Sequence, residues 1–496
     1  MGSAKDGPAT PLDAKFQQLV SPIAQPTLKP RWILYTSVLV ALLQPLQYGW
    51  STSQLNLSTY NKQDECDARP VADGTCVVFP GHSKLQWTFV INAWFVGGMI
   101  GSLLSGGISD RIGRKRVLVW NCAFIVAGAV VQAASTGIWM FVAGRVLAGV
   151  ASGCATSVVN GFINEISPPH LRNKLGVGFQ VAITTGILLV SLTFFFADTS
   201  SGWRYSAGFP IVLAVAFVVL SRFAVVESPA WLLLKGRTDE ARKELARLFG
   251  EDNVDMAMEW LQPEEPKNPG NAVATSETVT YSMLLSPSLR RQLAGALSIA
   301  IIQQFSGINT VFLYSSDMFT TAGIADDRIG TVIIDVVNVL PTLVSGPIAI
   351  HFGNRTMLIA GMVGMLVCAI GMTVALLVDV AALSIVFTAL YVIAFELSLG
   401  PLGWVVIGDL FPDSVRAKAT SLCLCCNWIA TLAIGVGYPY IADVLDDLAF
   451  LPFVATLLVF TVFVYWIVPE TSGRTNEEIQ AGFRAAQEQK APRSVV

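Results

Sequence analysis

Read for hydrophobic and polar positions, the chain is a succession of long apolar runs separated by short polar breaks. Runs of roughly 20 residues, the length that crosses a bilayer as a helix, fall near 32–54, 86–107, 117–135, 138–160, 175–198, 206–226, 292–319, 329–350, 357–376, 383–408, 419–442 and 449–468. The pattern predicts an all-α membrane protein of twelve transmembrane helices, with the lipid bilayer as its surroundings. Composition agrees: 53% of the 496 residues are hydrophobic and 14% charged, where soluble domains carry about 25% charge.

The first thirty residues hold Pro8, Pro11, Pro22, Pro26 and Pro30 and lack the charged start and apolar core of a cleavable signal. They are expected to remain as a tail. An even number of spans puts both termini on one side. Lys62, Arg69, Lys84, Arg204 and Arg328 fall on the other side, while most basic residues, the Arg111–Arg116 cluster included, share the side of the tails. This asymmetry predicts cytoplasmic termini; the plasma membrane is the expected location, which the asymmetry itself does not specify.

The net charge of −3, without basic–aromatic interleaving, gives no sign of a nucleic-acid partner. Cys66 and Cys76 share the first outer loop, as a disulfide or as two free thiols. The other six cysteines lie in spans and read as small packing residues; Cys423, Cys425 and Cys426 lack zinc-type spacing to histidine. His82, His170 and His351 are not paired for a metal. With no phosphate-binding loop and no serine elbow on a soluble sheet, neither an enzyme nor a cofactor is expected.

The runs form two sets of six. The expected organisation is a tail (1–30), a six-helix bundle (31–230), a cytoplasmic linker (231–290), a second bundle (291–470) and a final tail (471–496). "LLLKGRTDEARKELARLFG" opens the linker as an amphipathic helix. The bundles repeat one another. Glu165, Pro168, Arg172 and Lys174 recur 244 positions later as Asp409, Pro412, Arg416 and Lys418. "GGISDRIGRK" returns, worn, as "GPIAIHFGNR", and "VESP" at Glu227 is echoed by "VPET" at Glu470. Charged residues and glycines at nearly constant offset indicate an internal repeat. Repeated halves are how many secondary transporters are built, with the substrate between them at mid-membrane.

"GGISDRIGRKR" reads in two ways, as a turn that sets topology or as part of a cytoplasmic gate. In the second, Arg111, Arg114, Arg145, Arg172, Arg355 and Arg416 pair with Glu165, Glu227, Asp409 and Glu470 between the halves. Exposed pairs contribute about 0–1 kcal/mol each, enough together to bias a two-state equilibrium without freezing it.

"DRIGRK", "GR" at Gly144–Arg145, "EISPPHLR", "QQFSGIN", "GPLGW", "NW" at Asn427–Trp428 and "VPETSGRT" occur in one order along residues 32–480. Together they resemble the sugar porter branch of the major facilitator superfamily, and within it the facilitative glucose transporters. The resemblance implies a hexose substrate, alternating access and a set of sugar contacts: Gln180 in span 5, Gln303, Gln304 and Asn309 in span 7, Asn338 in span 8, and Phe395, Glu396 and Trp404 in span 10, with Ile183 as an apolar wall. The chemistry agrees. A hexose is a ring of hydroxyls with an apolar face; neutral amides donate and accept, an indole covers the face, and an uncharged site avoids an unpaired charge in the membrane.

Proton-coupled sugar porters carry an acid in span 1, where "LQYGWSTSQLN" has Ser51 and no titratable carboxyl. This favours facilitated diffusion over proton symport. Asp335, one turn before Asn338, is the exception: a coupling group, or a carboxyl bonded to a neighbouring span. Ala300–Ile302 replaces the "QLS" that accompanies glucose preference, Thr431 replaces an asparagine, and Gly403 replaces a proline before Trp404. A sugar sensor on the same fold would need longer tails. The sequons at Asn56 and Asn354 lie close to the membrane and on the cytoplasmic side.

At 100° per residue, Gln303 and Asn309 lie 240° apart on a straight helix. They face one sugar only if span 7 unwinds between them, and Ser306–Gly307 is the expected hinge.

Overall fold

The computed structural model describes residues 28–61, 63–261, 281–312, 326–378, 380–474 and 476–488. The end of the seventh apolar run and residues 262–280 of the linker lie outside these. The described residues form helices and no strand. Ten helices are long and apolar enough to cross a membrane, beginning with Lys84–Ile112 and ending with Lys418–Leu448; Leu451–Ile467 is a shorter apolar helix. The first span completes twelve, in two pieces, Trp32–Ala41 and Leu43–Ser53. It breaks because Pro45 has no N–H and its ring crowds the carbonyl four residues back, that of Ala41.

Two further spans are interrupted. Span 7 is helical over Arg290–Phe305, stops at Ser306 and Gly307, and resumes over 308–312. Span 10 runs Ala381–Glu396, turns through 397–400, and continues as Pro401–Asp409. Both interruptions fall near the middle of their spans; inside a bilayer, unwound backbone is tolerated only against protein or water.

The sequence repeat is a structural repeat. Pro168 and Pro412 precede spans 5 and 11 with nearly the same backbone (φ −65°, ψ 152° and φ −62°, ψ 151°). Arg172 then donates to Ser167 O at 3.3 Å, and Arg416 to Phe411 O at 3.3 Å, each reaching five residues back. Gly113 (φ 102°) and Gly353 (φ 87°) make the turns into spans 3 and 9. A Cβ at either would fall 2.5 Å from a carboxylate oxygen, of Glu227 and of Glu470 respectively. Only glycine accepts both that φ and that approach.

The bundles meet along two seams, span 5 (Pro169–Ala197) against span 8 (Asp327–Phe352) and span 2 (Lys84–Ile112) against span 11 (Asp413–Leu445). On the second seam, a Cβ at Gly98 would collide with the Trp428 ring at 2.4 Å. Small residues let membrane helices approach this closely.

On the end that carries the tails, the amphipathic reading of the linker holds. Thr238–Phe249 buries Ala241, Leu245, Leu248 and Phe249, one face at helical spacing. Arg31 N donates to Leu248 O at 2.8 Å, tying this helix to the start of span 1. A further helix follows span 12, in the segment expected as a tail. Asn476–Glu488 docks Ile479 and Phe483, with Gln292 donating to Gln480 at 2.6 Å and Gln480 to Leu410 O at 3.0 Å.

Candidate functional site

The hinge in span 7 is the element from which the site is built. Gly307 has φ 89°, and Ile308 starts a new helical turn. The turn brings the amides together: Asn309 Nδ2 donates to Gln304 Oε1 across the break. Gln304 Nε2 donates to Asn427 Oδ1 at 3.1 Å, and Asn427 Nδ2 donates to Gln303 Oε1 at 2.9 Å and to Ala300 O at 2.8 Å. Gln303 Nε2 donates to Leu399 O at 3.0 Å, a carbonyl freed by the break in span 10. The free carbonyl of Ser306 accepts from the buried Tyr391 hydroxyl. Spans 7, 10 and 11 are thus joined at their irregular points by one amide network. Asn427, which in the sequence is only part of the "NW" motif, stands at the centre of this network.

A second cluster faces the first bundle. Gln180 Nε2 donates to Glu396 at 3.2 and 3.3 Å, and Thr342 Oγ1 donates to Glu396 Oε2 at 2.9 Å. Spans 5, 8 and 10 meet on this carboxylate, and Thr342 had no signal in the sequence. Asn338, one turn along span 8, is fully buried, and among the described residues neither of its side-chain atoms has a hydrogen-bond partner. An unsatisfied buried amide costs about 1–3 kcal/mol, which a bound polar ligand would recover. Phe395 is buried beside Gly400, Ile183 is buried with its carbonyl against Gly49, and Trp404 is half-buried after the break in span 10. Asp335 is buried and accepts from Ser191 of span 5, so it bonds across the seam.

Arg145 does not belong to a cytoplasmic gate. It lies two turns into span 4 (Ile138–Ile166), toward the end away from the tails, and is buried. Its guanidinium donates to Ser51 O at 2.8 Å and Val90 O at 3.4 Å and stacks over Trp94 at 5.5 Å. A lone arginine near a glycine resembles the cytoplasmic motifs in sequence; only the direction of span 4 separates them.

At the tail end, Arg114 makes a two-pronged pair with Glu165 (2.9 Å) and reaches Asp110 (3.0 Å). Glu227 accepts the N–H groups of Arg114, Lys115 and Ser228 at 2.9, 3.1 and 3.0 Å. Burial pushes its carboxyl above the usual range, and these donors pull it back. Glu470 repeats the arrangement, accepting from Arg355, Thr471 and Ser472 at 3.3, 3.0 and 3.0 Å. Each carboxylate caps a helix start, where the backbone dipole favours negative charge. Asp409 lies beside Thr471 and Arg416, Arg172 covers the Trp260 ring at 5.3 Å, and Arg111 is exposed. These contacts join elements within one bundle, or a bundle to the linker, whereas pairing between bundles was expected. Ion pairs that do cross the bundles lie at the opposite end: Lys84 with Asp443, and Arg328 with Asp198 at 3.6 Å.

At that opposite end Cys66 and Cys76 form a disulfide, which decides between the two expectations for them. Asn56 is buried and Asn354 is buried against Thr471, so neither sequon presents its amide.

Two six-helix bundles, broken spans at mid-membrane and a polar cluster between them define a membrane transporter. Residues 36–483 match the family described as sugar (and other) transporter, and the chain belongs to that family. It is 34% identical over 487 residues to the human solute carrier family 2, facilitated glucose transporter member 4, covering 94% of each chain. It is 35% identical to the chicken facilitated glucose transporter member 2, over 82% of this chain and 78% of the relative. Its fold matches the proton:xylose symporter XylE bound to 6-bromo-6-deoxy-D-glucose (TM-score 0.73, 23% identity, 91% of this chain and 99% of that one). It also matches XylE from E. coli in a partially occluded inward-open conformation (TM-score 0.72, 23% identity, 90% and 100%).

Proposed function

We propose that this chain carries a glucose-like hexose across the plasma membrane by facilitated diffusion, with both termini in the cytoplasm. The observation that carries the reading is the hinge-built amide cluster of Gln303, Gln304, Asn309 and Asn427, opposite Gln180, Glu396 and the unpartnered Asn338. It is neutral apart from one carboxylate and rich in paired donors and acceptors, which suits a ring of hydroxyls. Phe395 and Trp404 supply apolar surface for its C–H face. Sugar enters between the bundles from the outer side, the outer ends close, the cytoplasmic ends part, and sugar leaves inward. The names of the relatives support the same substrate class.

Uniport is favoured by Arg145. Its guanidinium rests on a backbone carbonyl of Ser51, which does not titrate, where coupling would need a carboxylate that takes up and releases the proton while the arginine stays charged. A coupled reading draws on the buried carboxyls of Asp335 and Glu396. One experiment separates the readings: labelled D-glucose uptake by the purified protein in liposomes, with and without an inward proton gradient. Uptake that equilibrates without accumulating, with or without the gradient, is expected. Gradient-driven accumulation above equilibrium would overturn uniport, and absent uptake would overturn transport itself.

A further inference from the structure

The seam between spans 5 and 8 carries polar contacts at a regular spacing. On span 8 the residues are Arg328, Asp335 and Thr342, each seven apart; on span 5 they are Gln180, Ser191 and, at its end, Asp198, eleven and seven apart. Both spacings return to one face of an α-helix within about 20°. The helices run antiparallel, so the residues meet in reversed order. Asp198 pairs with Arg328 at 3.6 Å, Ser191 donates to Asp335, and Gln180 meets Thr342 through the carboxylate of Glu396, at 3.2 and 2.9 Å. All three contacts cross between the bundles. The neighbouring approach of Gly346 to Val177, 3.0 Å from a Cβ built on the glycine, continues the seam toward the tail end.

We propose that these contacts form a three-rung polar ladder that fixes the register of one bundle on the other, and that the middle rung, Ser191–Asp335, is the one the empty carrier must break to reorient. Ser191 and Asp335 are positioning residues for transport. Polar residues at regular positions of a helix seam specify register: after a shift Arg328 keeps Asp326, Asp198 keeps Thr59 and Glu396 keeps Thr342, but Asp335 loses the Ser191 hydroxyl. In the membrane interior that penalty is sharpest for Asp335, a carboxylate held by one hydroxyl from the other bundle. Sliding by less than a full repeat separates all three rungs together, so the seam has discrete states and not a continuum. When sugar is bound, its contacts to both bundles share the work of holding register. When the site is empty, that share falls to the seams, and on the seam of spans 5 and 8 to the rungs.

The inference rests on the hexose-carrier reading, and its test distinguishes the two. Net entry of labelled D-glucose into empty liposomes requires the empty carrier to return; equilibrium exchange at equal sugar on both sides does not. In Ser191→Ala and Asp335→Leu, the ratio of exchange to net entry should move at least about threefold, the population shift expected from one interhelical hydrogen bond in a membrane. Asp335→Asn keeps an oxygen to accept from Ser191 and should restore the wild-type ratio. Ser191→Ala removes a single oxygen and serves if Asp335→Leu fails to fold. Net entry and exchange that are unchanged, or that change in parallel, would overturn the ladder. So would Asp335→Asn behaving like Asp335→Leu, since charge and not the bond would then be what matters. Absence of exchange in the wild type would overturn the carrier reading, and the ladder's role with it.

Discussion

Arg145 donates from Nη1 to the main-chain oxygen of Ser51 at 2.8 Å, and among the described residues no carboxylate reaches its guanidinium. The buried cation is held by carbonyls and an indole face, none of which titrates. Ser51→Asp supplies the missing acid beside it. A new pair stronger in one access state by about 1.4 kcal/mol shifts the equilibrium about tenfold, so net glucose uptake should fall by about that factor. Ser51→Thr adds no charge and should leave uptake unchanged. Initial rates in liposomes check both.

Gly307 tests the hinge. Its φ of 89° suits glycine, and a Cβ there would meet the Phe453 ring at 2.6 Å. Gly307→Val should cut uptake at least about tenfold, since a β-branched residue at positive φ strains the turn that aims the amides. Membrane incorporation should persist, because the apolar run is intact. Uptake normalised to incorporated protein makes the measurement.

Asn427 ties Gln303 to Gln304 through bonds of 2.9 and 3.1 Å. Asn427→Ala leaves both amides without that partner and frees their rotamers. We expect KM for glucose to rise about tenfold, the equivalent of one or two lost hydrogen bonds, with kcat largely kept. A concentration series of zero-trans uptake reads the split.

Glu227 tests the capped turns. Burial raises its carboxyl above the unfolded value, and three backbone donors offset part of this. A carboxyl with a raised folded pKa holds its proton more tightly when folded. Its contribution to stability is therefore fully present below the unfolded value and is lost as pH rises through the folded one. Glu227→Gln keeps an acceptor oxygen and should flatten that decline as pH rises above the ordinary carboxylate range. Glu227→Ala strands three N–H groups and should cost about 1–3 kcal/mol. Unfolding midpoints of the solubilised protein at rising pH test both.

Much of the molecule was legible in its residues. Twelve apolar runs specify twelve spans, because a backbone in lipid must satisfy its hydrogen bonds internally and a helix is the local way to do so. The offset of 244 between two charged motifs indicated the repeat, and equal capping geometry at Pro168 and Pro412 bears it out. The rotation between Gln303 and Asn309 was enough to require a hinge, and Gly307 marked it. Each of these inferences uses distances along one helix, which a sequence encodes directly.

What depended on two helices did not show. Arg145 shares the look of the cytoplasmic arginines, yet span 4 runs the other way at that point and carries it toward the far end. Glu165 and Arg114 were plainly candidates to pair, but not plainly within one bundle. Asn427, Thr342 and Ser191 are ordinary polar residues until rotation and register put them against Gln304, Glu396 and Asp335. Periodicity says which face of a helix is polar; packing of close-fitting side chains settles which other face it meets, and at what height.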